Sequence, residues 1–446
     1  MTARRPYAKE ATTMTGAQRI PLAEHVADAV ALLAASRRGE VVALDGQAVG
    51  RVAAGQQRAL VDVPGHDNSQ MDGYAVASAD LPSAAGVPVT LPLGGTIAAG
   101  DGPGRLASGT ARPIMTGAAI PEGADHVVPV EESGAGSFHP AIGAGTGADT
   151  GAAPDTVTLT PQSTAAGRFV RARGSDTHHG DTILRSGQVL TPARIAHLAA
   201  CGLSDVEVEA PLRVIVLSTG SEVAADGAER EGAGLPDGAV YDANGPGLAA
   251  ALTAAGAEVV HRGAVPDDAT ALVTRLRAQV AEHDADLIVT SGGVSAGAFE
   301  VVRHAAAGDG VTMAFPSVAM QPGGPQGIGT LHLPDRRVPW LAFPGNPVSA
   351  LLSCELIARP ALGAPPRRRL HLPVQLEGEE SSPPQLAQYR RARVLPSGRV
   401  RLVAGASSHL IGGLAAADAL AIIPVGTEVV RDGDILETLL IPGGER

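Results

Sequence analysis

Aromatic side chains make up only 2% of this chain of 446 residues. Its cores must therefore be packed by Ala, Val and Leu rather than by rings. Cysteine is equally scarce. Cys201 and Cys354 lie far apart in sequence, each in an apolar, helix-like setting, and read as buried thiols rather than a disulfide or a zinc site. Positive charge is short as well: 34 Lys and Arg face 46 Asp and Glu, for a net charge of -12. That balance argues against a nucleic-acid partner but leaves room for a local anion site. No apolar run is long enough for a membrane span, and Met1 to Arg19 lacks the apolar core of a signal peptide, so a cytoplasmic protein with no membrane contact is expected. GxxxxGK[ST] is missing, and GxGxxG has no good match at a first strand-to-helix turn. This excludes the commonest triphosphate and dinucleotide loops.

What the chain does contain is enough for two to four domains. PLAEHVADAVALLAAS predicts a helix burying Leu22, Val26, Val30 and Leu33 on one face. From about Val41 to Val170, short Val-rich pieces alternate with Gly, Pro and Asp, which predicts β structure with many turns. Pro140 to Pro154 reads as a solvent loop. Thr191, Pro192 and Gly202 punctuate another helix as cap, first position and stop. From Val214 onward the pattern is α/β: apolar strands run into small polar turns and then helices. After about Leu370 short strands return. The expectation is a central parallel-sheet domain with β-rich domains before and after it.

Three of the polar turns follow buried strands: Ser218-Thr219-Gly220-Ser221, Ser291-Gly292-Gly293-Val294-Ser295-Ala296-Gly297, and Pro344-Gly345-Asn346-Pro347. Ligands of open α/β sheets bind beyond the carboxyl ends of strands, where exposed N–H groups and serine hydroxyls can cradle phosphate oxygens. Each segment alone is also ordinary turn material. Glu222, Asp267 and Glu300 fall near the same strand ends; each could simply cap a helix. Three carboxylates beside phosphate-binding loops are electrostatically poor without a cation, which predicts Mg2+ with oxygen ligands.

His66 to Val76, HDNSQMDGYAV, fits either a polar turn before a strand or a ligand-holding surface. His66, His178 and His179 lack a third ligand at useful spacing and read as loop histidines.

HDNSQMDGYAV, IMTGAAIPEGADHVV, VRARGSD, LSTGSEV, YDANG, VPDD, TSGGVSAG, VAMQPGGPQG, FPGNP and PVGTEVVRDGD follow one another in order. Together they resemble the MoeA/gephyrin E-domain family, the molybdopterin molybdenumtransferases, from about residue 20 over nearly the whole chain. The resemblance implies a tail over 1–18, a linker domain formed by 19–55 and 168–208, and a β-rich domain inserted at 56–167. It further implies a molybdopterin-binding α/β domain at 209–362, with a parallel or mixed sheet, and a β-barrel-like domain at 363–446. It implies a homodimer whose cleft lies between the pterin-binding domain of one subunit and the N-terminal regions of the other. The implied substrates are adenylylated molybdopterin and molybdate, with Mg2+-dependent release of AMP. Asp67, Thr116, Asp176 and Asp267 then match catalytic positions, the three turns hold the pterin and its phosphates, and Glu222, Asp267 and Glu300 match the metal end. In HDNSQMDGYAV, the same resemblance aims Asp67 at the reaction site, leaves Asn68 and Ser69 to shape the turn, and gives Asp72 and Gly73 its backbone. Transient contacts with a molybdopterin adenylyltransferase or with apo-molybdoenzymes also follow.

The chain departs from the family's VAxKPGKP pattern: Gln321 and Gly324 stand where lysines are common, and Ala298 replaces an acid before Glu300. Weaker molybdate capture, compensation by Arg171 or Arg173, and a specialised paralogue all fit these changes. The competing readings are a non-catalytic molybdopterin-binding scaffold or storage protein, and adenylylation of molybdopterin as the preceding step. The full set of flanking domains argues against the latter.

Overall fold

The computed structural model describes residues 19–134, 136, 155–224, 235, 237–295 and 300–442. The expected loop at 140–154, and Gly297 and Ala298, lie outside them. The described residues group into two compact units, Gly39–Glu209 and the segments on either side of it.

The larger unit is built on a six-stranded sheet. Its order is Glu258–Val265, Arg213–Thr219, Leu287–Ser291, Arg337–Phe343, Gly327–His332 and Val311–Ala314. The first four strands run parallel, and the last two join antiparallel, so the sheet is mixed. Val214, Ile215, Val216 and Leu217 are all fully buried. This is why they form an unbroken apolar run: helices cover both faces of such a sheet, leaving no side for polar residues. Alternation is still visible in the packing. Val214 and Val216 join Leu248 and Leu252 on one face, while Ile215 and Leu217 join Leu272 and Leu276 on the other. Buried Trp340 satisfies its indole N–H on Thr290 Oγ1 at 3.0 Å. Arg213–Thr219 has the next strand in sequence on one side and Leu287–Ser291 on the other, so the winding reverses beside it. That is where α/β sheets open a ligand crevice.

In the C-terminal part, Ala387–Val394 pairs with both Val400–Leu402 and Ala419–Ile423. Pairings through Arg369–Gln375 and Ile435–Leu440 complete the ring. Closure removes exposed edges, as expected of a β-barrel. Leucine, valine and alanine fill this core, as in the rest of the chain.

Helix Leu22–Ala34 buries His25, Ala29 and Leu33, while Val30 is 39% exposed. Leu33 is buried as expected and Leu22 and Val26 pack against the core, so only Val30 departs from the expected face. The stripe also passes through His25, a polar residue that apolar spacing skips. Both ring nitrogens of His25 are buried without a hydrogen-bonding partner among the described residues. Burial pulls the pKa of His25 from its ordinary 6.5 down to about 4. The fold therefore holds the neutral ring. As pH falls from 6.5 toward 4 the unfolded chain takes up a proton that the folded chain refuses, so stability declines across that window and levels off below it. The loss is on the order of 3 kcal/mol, with no contribution above pH 6.5. Melting curves between pH 7 and 4 should show this slope, and His25→Leu should flatten it.

The smaller unit consists of short sheets. Gly73–Val76 lies between Arg112–Ile114 and His126–Pro129, all antiparallel. Helix Pro192–Ala200 carries the predicted punctuation: Thr191 accepts a hydrogen bond from the Arg194 N–H, and Pro192 occupies the first turn.

Candidate functional site

In the larger unit, the carboxyl ends of the parallel strands bring the three predicted turns together. Gly292 approaches Thr219 so closely that a Cβ would lie 2.5 Å from Thr219 Oγ1, and its φ of +97° independently favours glycine. A Cβ on Gly345 would lie 3.3 Å from Gly292 Cα, so the first and third turns both crowd the second. Asn346 accepts from the N–H groups of Val348 and Ser349 and starts helix Pro347–Ser353, with Pro347 in its first turn. This uses Asn346 as a helix cap.

The polar groups of these turns are used differently from the sequence expectation. Ser218 Oγ donates to Asp242 Oδ1 at 2.8 Å, and Thr219 Oγ1 donates to the Ser291 carbonyl at 3.2 Å. Those hydroxyls tie strand ends together. The Gly220 N–H goes to the Val265 carbonyl and the Gly292 N–H to the Phe343 carbonyl. Two other donors are held by acids. The Ser221 N–H donates to Asp267 Oδ2 at 3.1 Å, while the Asp267 N–H donates back to Ser221 Oγ. The Ser295 N–H donates to Glu300 Oε2 at 2.8 Å.

Two residues of this site, Asp242 and Asn244, were not singled out from sequence. Asp242 Oδ1 also accepts from the Gly245 N–H, and Asn244 Nδ2 reaches the Gly345 carbonyl at 2.7 Å. Together they join the first and third turns. Their signal was a polar pair in YDANG at the start of helix Asn244–Ala254. Among the described residues, Asn244 Oδ1 and Ser291 Oγ are buried without a hydrogen-bonding partner.

The three acids do not form a metal cage. No group of three His, Cys, Asp or Glu side chains that could hold an ion occurs among the described residues. Mg2+ commonly takes only one or two carboxylates and completes its shell with water and substrate phosphate oxygens. Asp267 and Glu300, each hydrogen-bonded to a turn N–H, fit that use; an all-protein site does not.

In the smaller unit, Asp67, Thr116 and Asp176 are gathered by pairing. Asn68–Ser69 is a short strand against Val170–Arg171, with a further bridge from Asn68 to Ala119. Thus Asn68 and Ser69, expected to shape a turn, are buried strand residues. Asp67 Oδ1 accepts from the Arg173 N–H at 2.7 Å, and the Asp176 N–H donates to the Val63 carbonyl. Thr116 donates both its N–H and its hydroxyl to Asp72 Oδ1, at 2.6 and 2.8 Å. Asp72 therefore anchors another segment rather than only its own backbone, and the Thr116 hydroxyl is engaged by it. Asp67, Thr116 and Asp176 are exposed.

Arg173 is committed to Asp62, its Nε 2.5 Å from the carboxylate. A hydrogen bond from the His179 backbone N–H, with one from the Arg173 side chain, holds Asp62 below the ordinary carboxylate range. Arg171 is exposed. Gln321 accepts at Oε1 from Gln388 Nε2 at 2.8 Å. A separate cavity of about 710 Å³, lined by Arg19, Pro21, Leu22, Ala319, Gln385, Ala387 and Val425, includes none of the strand-end turns.

Comparison with known proteins covers the same architecture. Family models described as "MoeA N-terminal region (domain I and II)", "Probable molybdopterin binding domain" and "MoeA C-terminal region (domain IV)" match residues 20–202, 215–364 and 373–441. Molybdopterin molybdenumtransferase 2 of Mycobacterium tuberculosis is 39% identical over 403 residues, spanning 88% of this chain and 92% of the relative. Molybdopterin molybdenumtransferase of Synechococcus elongatus is 32% identical over 392 residues, covering 87% and 91%. The crystal structure of the molybdopterin biosynthesis MoeA protein from Pyrococcus horikosii superposes with a TM-score of 0.75. It has 25% identity and covers 96% of this chain and 100% of that one.

Proposed function

Because the chain belongs to the MoeA family, the molybdopterin molybdenumtransferases, we propose that it inserts molybdate into adenylylated molybdopterin and releases AMP. The observation that carries this reading is the convergence of three small-residue turns, with Asp267 and Glu300 on their N–H groups, at the carboxyl ends of the parallel strands. The turns would take the diphosphate that joins pterin and AMP, and the crowding of Gly292 and Gly345 lets backbone come close to it. Bound Mg2+ would neutralise phosphoryl oxygens; one or two of Asp267, Glu222 and Glu300 are its proposed protein ligands. Asp67 and Asp176 would orient water or molybdate from the smaller unit, with Asp72 fixing Thr116. The reading extends to a cytoplasmic homodimer with transient contacts to a molybdopterin adenylyltransferase or to apo-molybdoenzymes. Incubation with adenylylated molybdopterin, Mg2+ and molybdate should activate an apo-molybdoenzyme. Tight pterin binding with no activation at any molybdate concentration would favour the non-catalytic scaffold.

Molybdate is an anion entering an acidic site, so each missing lysine removes attraction. Gln388 Oε1 is buried and without a hydrogen-bonding partner among the described residues, so a lysine at position 321 would have an acceptor at hand. Gln321→Lys should lower the molybdate concentration for half-maximal AMP release by roughly 3- to 10-fold, less at high salt. A titration at two ionic strengths checks both the shift and its screening.

A further inference from the structure

We propose that in the ligand-free chain Asp267 and Glu300 occupy backbone donors that the substrate's diphosphate takes, and that diphosphate binding displaces both carboxylates and frees them for Mg2+. The inference rests on the transferase reading for the identity of the phosphate ligand and adds how metal and phosphate are coupled.

Phosphate-binding turns work by pointing N–H groups at an anion. Here Ser221 and Ser295, one on each of two adjacent turns, already point theirs at side-chain anions, at 3.1 and 2.8 Å. A carboxylate carries one charge; a diphosphate carries more charge and has more oxygens to offer these donors. Exchange is therefore favourable at the donors. It leaves two displaced carboxylates beside a polyanion, an arrangement that a divalent cation relieves. Metal and diphosphate should then strengthen each other's binding reciprocally. Each carboxylate is engaged by a different turn.

Ser291 provides an independent pointer to a ligand. It ends the strand that leads into the second of these turns, is 1% exposed, and its Oγ has no hydrogen-bonding partner among the described residues. A buried hydroxyl at a strand end otherwise finds an acceptor, and a phosphate oxygen supplies one. Glu222 serves as the contrast. It brings the same charge to the first turn, yet none of that turn's backbone N–H groups is seen donating to its carboxylate among the described residues.

Calorimetric titration with inorganic pyrophosphate tests the exchange on the full chain. In chelator, Asp267→Ala and Glu300→Ala should each bind pyrophosphate roughly 3- to 10-fold more tightly than wild type, with Glu258→Ala, an exposed acid at the amino end of its strand, within about 2-fold. Adding Mn2+ as the metal probe should tighten wild-type pyrophosphate binding by about 10-fold or more, and each of the two former variants by distinctly less. Melting curves confirm that the variants are folded. Equal gains in all three variants would reduce the effect to net charge and overturn the exchange, as would wild-type binding indifferent to Mn2+. Either failure leaves AMP release by wild type intact, whereas failure of the transferase reading removes AMP release and leaves these titrations standing.

Discussion

Asp67→Asn should lower AMP release on the order of 10²- to 10⁴-fold, the usual range for losing a positioned acid–base group, while hardly changing thermal stability. The geometry makes this substitution informative. Asp67 uses Oδ1 to accept from the Arg173 N–H, and an asparagine oxygen accepts the same bond, so the loop stays held. The pairing of Asn68–Ser69 with Val170–Arg171 is backbone and does not depend on the charge. Only the exposed carboxylate changes. Steady-state kinetics beside a melting curve separate the outcomes: a full rate in a stable variant would remove Asp67 from the chemistry.

Gly292→Ala should have the largest effect on both stability and binding. The new Cβ would stand 2.5 Å from Thr219 Oγ1 and 2.7 Å from the Thr219 carbonyl oxygen, in a backbone conformation with φ of +97°. Strain at positive φ and the forced separation of two central strands together cost about 2 to 5 kcal/mol. The melting transition should fall on the order of 5 to 15 °C, and pyrophosphate affinity should fall with it. A variant as stable as wild type that still bound pyrophosphate would show that the two turns can part without consequence.

The reach of sequence reasoning followed the range of the interactions. Val214 to Leu217 announced a buried strand because local composition and burial on both faces coincide. Thr191 and Pro192 announced a helix start because capping is local. Helix Leu22–Ala34 was recognised with Leu22, Val26 and Leu33 on its packed face, but His25 is polar yet buried, and no apolar count includes it. The pairing of Thr116 with Asp72 joins segments brought together only by antiparallel neighbours of Gly73–Val76. Likewise, turn-rich segments suggested available N–H groups, but Asp267 and Glu300 already hold two of them. Residue type revealed that carboxylates and anion-binding turns occur together. Which donors the carboxylates take depends on the tertiary placement of strand ends.

The most direct measurement is AMP release from adenylylated molybdopterin by the purified chain, with Mg2+ present and molybdate varied from zero upward. The transferase account predicts release that rises with molybdate and saturates, at higher concentrations than in a variant carrying Gln321→Lys. Binding of the substrate without AMP release at any molybdate concentration would contradict it and leave a pterin-holding protein in its place.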